Sequence, residues 1–174
     1  TLIVNEDAFG ERDLHKAGYV ENPLDGESLN AYRVIRVPMT SLTRGVCEPL
    51  GVKPRDAERS KNFFALGLVS WMYTRPTEPT EAWIDEKFAK NELVAASNKA
   101  AFRAGYNFGE TTEAVGHRFE VRPARLPAGT YTSINGNTAL SWGLIAAGQL
   151  AKLPITLGSY PITPASDILH ELSK

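Results

Sequence analysis

The 174-residue chain is 43% hydrophobic and 22% charged, so it has enough apolar material for a folded core and enough charge for solubility. Its 19 basic and 20 acidic residues give a net charge of −1, which argues against a general affinity for nucleic acid. The longest apolar stretch, 63–73, is too short to cross a bilayer, and the first residues lack signal-peptide character, so we expect a cytoplasmic protein. The single cysteine, Cys47, excludes an internal disulfide and a cysteine-rich metal site.

The first third of the chain alternates predicted strands and helices. Residues 2–4 are aliphatic and predict a short buried strand. A short helix over 11–17 is expected to end at Gly18. Residues 32–37 interleave β-branched and basic side chains, which predicts a second strand, and 40–47 predict one or two helical turns.

Helices dominate the next third. The strongest prediction is a helix over 56–73, whose second half is apolar around most of its circumference and therefore buried on several sides. A second helix is expected over 80–90, with Thr80 as its N-cap. Asn91 then caps a third helix that we expect to fray near 105–109. Residues 119–121 predict a short strand.

A basic, proline-containing linker over 122–129 predicts a domain boundary. A helix capped by Asn137 follows, then a buried strand over 153–157 and a last helix with Thr163 as its N-cap and Pro164 in its first position. The alternation of strands and helices predicts the α/β class. Because a helix–strand–helix unit cannot bury its single strand alone, we expect the sequence to stop within a domain.

The turn over 160–164 is where chemistry is most strongly indicated. It would join the carboxyl end of a strand to a helix amino terminus, the place where ligands bind in open α/β sheets. Two prolines stiffen the turn, and Thr163 offers a hydroxyl to a carbonyl or carboxylate. From the residues alone, a ligand site and an ordinary proline-stiffened turn both remain open.

Residues 158–166, Gly-Ser-Tyr-Pro-Ile-Thr-Pro-Ala-Ser, resemble the YPITPSS-type motif that opens the pyrimidine-binding domain of 2-oxoacid:ferredoxin oxidoreductases. Residues 136–140 are similar to the G-N-x-A-x element at the start of the same domain. The preceding part of the chain, 1–121, resembles the gamma domain that the family fuses ahead of it. The segments that carry this second likeness are 61–67, 98–105 and 107–112.

The resemblance implies a fold and a domain order. Residues 1–121 would form a Rossmann-like gamma domain whose amino-terminal part is missing, and 122–135 would be a linker. Residues 136–174 would be the truncated start of a thiamine-diphosphate pyrimidine-binding domain. Together they would be part of an alpha subunit in which gamma and alpha regions are fused.

The resemblance also implies an activity: oxidative decarboxylation of a 2-oxoacid, preferably 2-oxoglutarate, with coenzyme A to acyl-CoA, carbon dioxide and reduced ferredoxin. Thr163 would lie beside substrate and thiamine and orient the reacting acid. Tyr160, Pro161 and Ile162 would shape the pocket wall. No catalytic or metal-ligating residue is assigned to this chain, because the activating glutamate and substrate-gripping arginine are expected beyond Lys174.

Cofactors and partners follow from the same likeness. Thiamine diphosphate with Mg and an iron–sulfur cluster would be held mainly by a partner beta subunit, and coenzyme A would be the co-substrate. One cysteine cannot supply a four-thiolate cluster. The implied assembly is a dimer of heterodimers that passes electrons to ferredoxin, without nucleic acid or membrane, and this chain alone is expected to be inactive.

A different class of protein stays open. The chain could be a non-catalytic gamma-type module that serves assembly or binds coenzyme A. Separately, the basic residues Arg118, Arg122 and Arg125 could meet the phosphates of coenzyme A, although a solvated linker is favoured there. An unrelated nucleotide-binding domain is disfavoured because neither G-x-G-x-x-G nor a P-loop occurs. The three histidines have no metal-ligand spacing, and Cys47 has no nearby histidine, so structural roles are expected for them.

Overall fold

The protein is mixed α/β and divides into two compact units, Thr1–Pro123 and Ala124–Lys174. The computed structural model describes residues 1–112, 116–160 and 162–174. Within those ranges, no helix is both long enough and apolar enough to cross a membrane.

The first unit contains a small parallel sheet. Strand β1 (Leu2–Asn5) pairs with β2 (Val34–Val37) in parallel, with Leu2 opposite Val34. Parallel strands require a crossover, and helix α1 (Glu11–Lys16) lies within it. Both predicted strands are confirmed, and so is the end of α1 near Gly18, whose φ is +81°.

The rest of the first unit is helical. Its helices are α2 (Met39–Cys47), α3 (Pro54–Ala57), α4 (Lys61–Met72), α5 (Glu78–Lys87) and α6 (Glu92–Thr112). Short 3₁₀ turns at Glu48–Leu50 and Glu58–Ser60 continue α2 and α3, so the predicted helix over 56–73 is divided rather than continuous.

Helices α4 and α6 pack closely against each other and form most of the core. Phe64 and Leu68 of α4 and Phe102 of α6 are 1%, 0% and 0% exposed. The buried residues of the main cluster are Ile35, Val37, Met39, Phe64, Leu68, Trp71, Met72 and Ala101. As the apolar circumference of α4 predicts, this helix is buried on several sides, although Leu66 and Val69 remain 41% and 40% exposed.

Three predictions for the first unit need correction. Helix α5 begins at Glu78 with Thr77, not Thr80, in the N-cap position. Helix α6 continues to Thr112 instead of fraying near 105–109, because Gly105 and Gly109 lie buried in helix contacts rather than at a helix end. Residues 119–121 form no strand.

The segment after α6 is held by isolated contacts. Phe119 N donates to the Met72 carbonyl at 2.7 Å, and the Thr74 hydroxyl donates to the Phe119 carbonyl at 3.0 Å. The Phe119 ring stacks on Tyr73 with centroids 5.5 Å apart. These contacts fix an extended chain without giving it a neighbouring strand.

The second unit consists of α7 (Gly136–Ala151) and α8 (Ser166–Leu172). Asn135, not Asn137, caps α7, because its Oδ1 accepts a hydrogen bond from Thr138 N at 2.9 Å. The predicted strand over 153–157 is wrong: these residues form no strand and are exposed. The described residues of this unit include no neighbouring strand, and a strand without a partner leaves its backbone groups to water.

Candidate functional site

The turn before α8 presents its side chains to solvent. Tyr160 is 79% exposed and Ile162 is 58% exposed, and Thr163 is also exposed. Pro161, the fourth residue that the sequence singles out here, lies outside the described residues. Three of the four predicted site residues are therefore accessible on one turn.

Backbone hydrogen bonds shape this turn. Ile162 N donates to the Tyr160 carbonyl at 2.8 Å, and Ser166 N donates to the Ile162 carbonyl at 3.1 Å. Helix α8 begins at Ser166, with Ala165 in the N-cap position and no side-chain cap. The prediction that Thr163 caps this helix is therefore wrong, and its hydroxyl is not used as a helix cap.

The turn is tied to the start of α7 by a side chain. Asn137 Nδ2 donates to the Pro164 carbonyl at 3.0 Å, and Asp167 N donates to the same oxygen at 3.2 Å. The backbone of Asn137 is also held, because the fully buried Ser141 donates its hydroxyl to the Asn137 carbonyl at 2.8 Å. The structure thus brings together the two segments 136–140 and 158–166.

This connecting role of Asn137 is missed by reasoning from the sequence, which assigns the residue to a helix cap. The available signal is a second asparagine, Asn135, which can cap the helix in place of Asn137. Capping by Asn135 releases the Asn137 amide for the contact with Pro164.

The described residues offer hydrogen-bonding and apolar side chains at the candidate turn. The described residues contain no group of three or more His, Cys, Asp or Glu side chains that could hold a metal ion. Cys47 is fully buried, its thiol lies 3.8 Å from the Ser97 carbonyl, and burial raises its pKa. A buried thiol with a raised pKa is a poor nucleophile and a poor metal ligand.

The basic residues near the unit boundary have different surroundings. Arg118 donates from Nε to the Trp71 carbonyl at 3.1 Å, and its guanidinium lies 5.5 Å from the centre of the Trp71 ring. Arg122 and Arg125 are exposed. Arg118 therefore makes a cation–π contact that its sequence position does not indicate.

A small parallel sheet covered by helices, together with an exposed turn ahead of a helix, defines an α/β protein with a candidate ligand-binding turn. The profile of the pyruvate ferredoxin/flavodoxin oxidoreductase family matches residues 1–108, and the chain belongs to this family. None of the solved structures matches it.

Two curated relatives refine the comparison. The chain is 57% identical over 173 residues, 99% of its length, to the 2-oxoglutarate oxidoreductase subunit KorA of Mycobacterium tuberculosis. It is 27% identical over 135 residues, 78% of its length, to subunit alpha of 2-oxoacid:ferredoxin oxidoreductase 2 of Aeropyrum pernix. The chain spans only 26% and 20% of the lengths of these two proteins.

Proposed function

We propose that the chain is part of the alpha subunit of a 2-oxoacid:ferredoxin oxidoreductase that acts on 2-oxoglutarate. The reaction would convert the 2-oxoacid and coenzyme A to acyl-CoA and carbon dioxide and would pass two electrons to ferredoxin. In this proposal 1–121 is a Rossmann-like gamma domain, 122–135 a linker and 136–174 the start of the pyrimidine-binding domain. We place the enzyme in the cytoplasm, as a dimer of heterodimers with a beta subunit.

The observation that carries the proposal is the 57% identity over 99% of the chain to a subunit named for 2-oxoglutarate oxidation. Identity of this extent includes both segments that meet at the Asn137–Pro164 hydrogen bond. The exposure of Tyr160, Ile162 and Thr163 supports a role in contact with a ligand, because all three side chains are accessible to one.

The side chains of this turn fit a pocket wall better than a complete cofactor site. An aromatic, an aliphatic and a hydroxyl side chain at 160, 162 and 163 suit the pyrimidine side of thiamine diphosphate and a neighbouring 2-oxoacid. They offer no ligands for Mg, and a single buried cysteine does not fit an iron–sulfur cluster. In this proposal the diphosphate, its metal and the cluster are held mainly by the beta subunit.

In this mechanism the residues of the chain bind and orient. When bound, thiamine diphosphate supplies the electron sink that makes loss of carbon dioxide possible. The Thr163 hydroxyl would donate a hydrogen bond to an oxygen of the 2-oxoacid and so fix the angle of its keto carbon. Tyr160, Pro161 and Ile162 would exclude water from one side of the reacting group.

The test uses the assembled enzyme with the beta subunit. Thr163→Ala removes the hydroxyl, and we expect kcat/KM for 2-oxoglutarate to fall about 10- to 100-fold, the usual effect of losing a hydrogen bond to a charged group. Thr163→Ser keeps the hydroxyl and should retain most of the activity. Thr132→Ala, an exposed threonine elsewhere in the second unit, is the matched control.

If Thr163→Ala has the same kinetic constants as the wild type, Thr163 does not contact the substrate and the turn is not part of the substrate site. Failure of the wild-type complex to oxidise any 2-oxoacid, with coenzyme A and ferredoxin supplied, would instead favour a non-catalytic assembly or coenzyme A-binding module.

A further inference from the structure

A cavity of about 580 Å³ lies in the first unit. Its lining residues precede the candidate turn over 160–164 by more than 60 positions in the sequence. It opens between the turn that precedes α3, the beginning of α4 and the beginning of α6. Its size is within the range of pockets that hold metabolite-sized molecules, about 300 to 1,000 Å³. Most of its lining is apolar, as in such pockets.

One wall of the cavity is aromatic. The rings of Phe63 and Phe88 both line it and meet edge to face, with centroids 6.0 Å apart and an interplanar angle of 77°. Leu93 and Val94 line it as well and are 47% and 37% exposed, although both are apolar. A planar ring packed against this wall would remove apolar surface from water.

A polar group with an unused donor lies at the cavity. Asn98 is 4% exposed, and its Oδ1 accepts a hydrogen bond from the buried Ser60 hydroxyl at 2.7 Å. None of the hydrogen bonds among the described residues uses Asn98 Nδ2, so this amide can donate to a molecule bound in the cavity.

The charges at the cavity favour a singly charged anion. Lys53 and Arg59 line it and are exposed, and Asp56 is the one acidic residue among the lining side chains. Two cations and one carboxylate leave one positive charge in excess. A carboxylate or phosphate oxygen is the partner that suits Lys, Arg and an amide N–H together.

We propose that this cavity is a binding site for a planar aromatic or heteroaromatic monoanion, with its ring on Phe63 and Phe88 and its acidic group near Lys53, Arg59 and Asn98. The site is separate from the proposed oxidoreductase turn and does not depend on it. A molecule bound here would add to the stability of the first unit.

Calorimetric titration of the full protein tests the proposal with 2-naphthoate as the probe and neutral 2-naphthalenemethanol as its uncharged counterpart. We expect 2-naphthoate to bind with a submillimolar Kd and the alcohol to bind about fivefold more weakly, the worth of one exposed charge pair. Titration with 2-naphthyl phosphate distinguishes a carboxylate site from a phosphate site by which anion binds more tightly.

Variants locate the site. Val94→Trp places an indole at the exposed rim and should abolish binding, whereas Leu66→Trp, exposed on α4 and not part of the lining, should leave it unchanged. Lys53→Ala should weaken 2-naphthoate binding about fivefold. Arg55→Ala, in the short helix that follows Lys53 but not part of the lining, is its control.

Three results would overturn the proposal: no binding of either anion at millimolar concentration, equal binding of 2-naphthoate and the alcohol, or binding that survives Val94→Trp. All three are independent of whether the protein oxidises 2-oxoacids, because the readout is binding alone.

Discussion

Two glycines determine how closely α4 and α6 approach. A Cβ atom on Gly67 would lie 2.9 Å from the Phe102 carbonyl carbon, and one on Gly105 would lie 2.7 Å from the Phe64 carbonyl carbon. Both neighbours are backbone atoms of the facing helix, so no side-chain rotation can relieve the overlap. The helix contact therefore requires glycine at both positions, despite its cost in helix propensity.

We expect Gly105→Ala to lower the free energy of unfolding by about 3 kcal/mol, because the helices must separate to admit the methyl group. Gly45→Ala is the matched control: Gly45 also lies within a helix, with nothing within 4 Å of the added Cβ. There the change should be neutral or stabilising by up to about 1 kcal/mol. Urea unfolding followed by tryptophan fluorescence measures the free energy of unfolding of both variants. Equal changes in the two would show that α4 and α6 can separate at little cost.

An ion pair between Arg103 and Glu81 joins α6 to α5. Arg103 donates from Nε to Glu81 Oε1 at 2.7 Å and from Nη2 to Oε2 at 2.5 Å. These hydrogen bonds lower the pKa of Glu81 below its ordinary value of 4.5. Since the folded-state pKa is lowered, the pair contributes stability that is fully present above the unfolded pKa and is lost as pH falls through the folded one.

Arg103→Gln should therefore lower the free energy of unfolding by about 0.5 to 1 kcal/mol at pH 7, a small value because the arginine side chain is 61% exposed. The difference from the wild type should disappear as pH falls below 4.5 through the lowered pKa of Glu81. Urea midpoints measured from pH 7 to pH 3 test this, with Lys90→Gln as an exposed control. A difference that is constant with pH would mean that lost packing, not charge, is responsible.

At the scale of elements, the contact between α7 and the turn before α8 depends on one amide. Asn137→Ala removes the donor to the Pro164 carbonyl, and a hydrogen bond of this kind contributes about 1 kcal/mol. The Asp167 amide, which donates to the same carbonyl, should then exchange with solvent about fivefold faster. Amide hydrogen exchange measures this, and Gln149→Ala, an exposed residue on α7, should leave the rate unchanged.

Local sequence patterns correctly predicted one helix cap and the two strands of the sheet. Asn91 caps α6 as expected, with its Oδ1 accepting from Val94 N at 3.2 Å, and both strands of the sheet are confirmed. The failures depend on distant parts of the chain. The strand over 153–157 needs a partner that its unit does not supply, and the length of α6 depends on how its glycines meet α4.

The candidate turn was predictable as a turn, because two prolines and a glycine mark it. The hydrogen bond from Asn137 that holds this turn was not predictable. Asn137 and Pro164 are 27 residues apart, and the bond depends on which asparagine caps α7. The cavity beside Asn98 was not predictable either: its lining comes from three separate stretches of chain, and no local pattern relates them.

At the scale of the whole molecule, buried apolar residues are distributed unequally between the two units. Every buried hydrophobic residue of the described chain belongs to the first unit. In the second, Ser141 is the one buried residue described, while Leu150 and Leu153 are 86% and 67% exposed. When separated from the rest of the protein, a unit that buries so little apolar surface cannot offset the entropy of ordering its chain.

We therefore expect the two units to differ when produced separately. A fragment of residues 1–123 should be helical and unfold cooperatively on heating, because it contains the α4–α6 core. A fragment of residues 124–174 should show little helix by circular dichroism, fast exchange of all its amides and no cooperative transition. Cooperative melting of the shorter fragment would show that α7 and α8 form a sufficient core together. That result would also mean that their exposed leucines need no further chain to cover them.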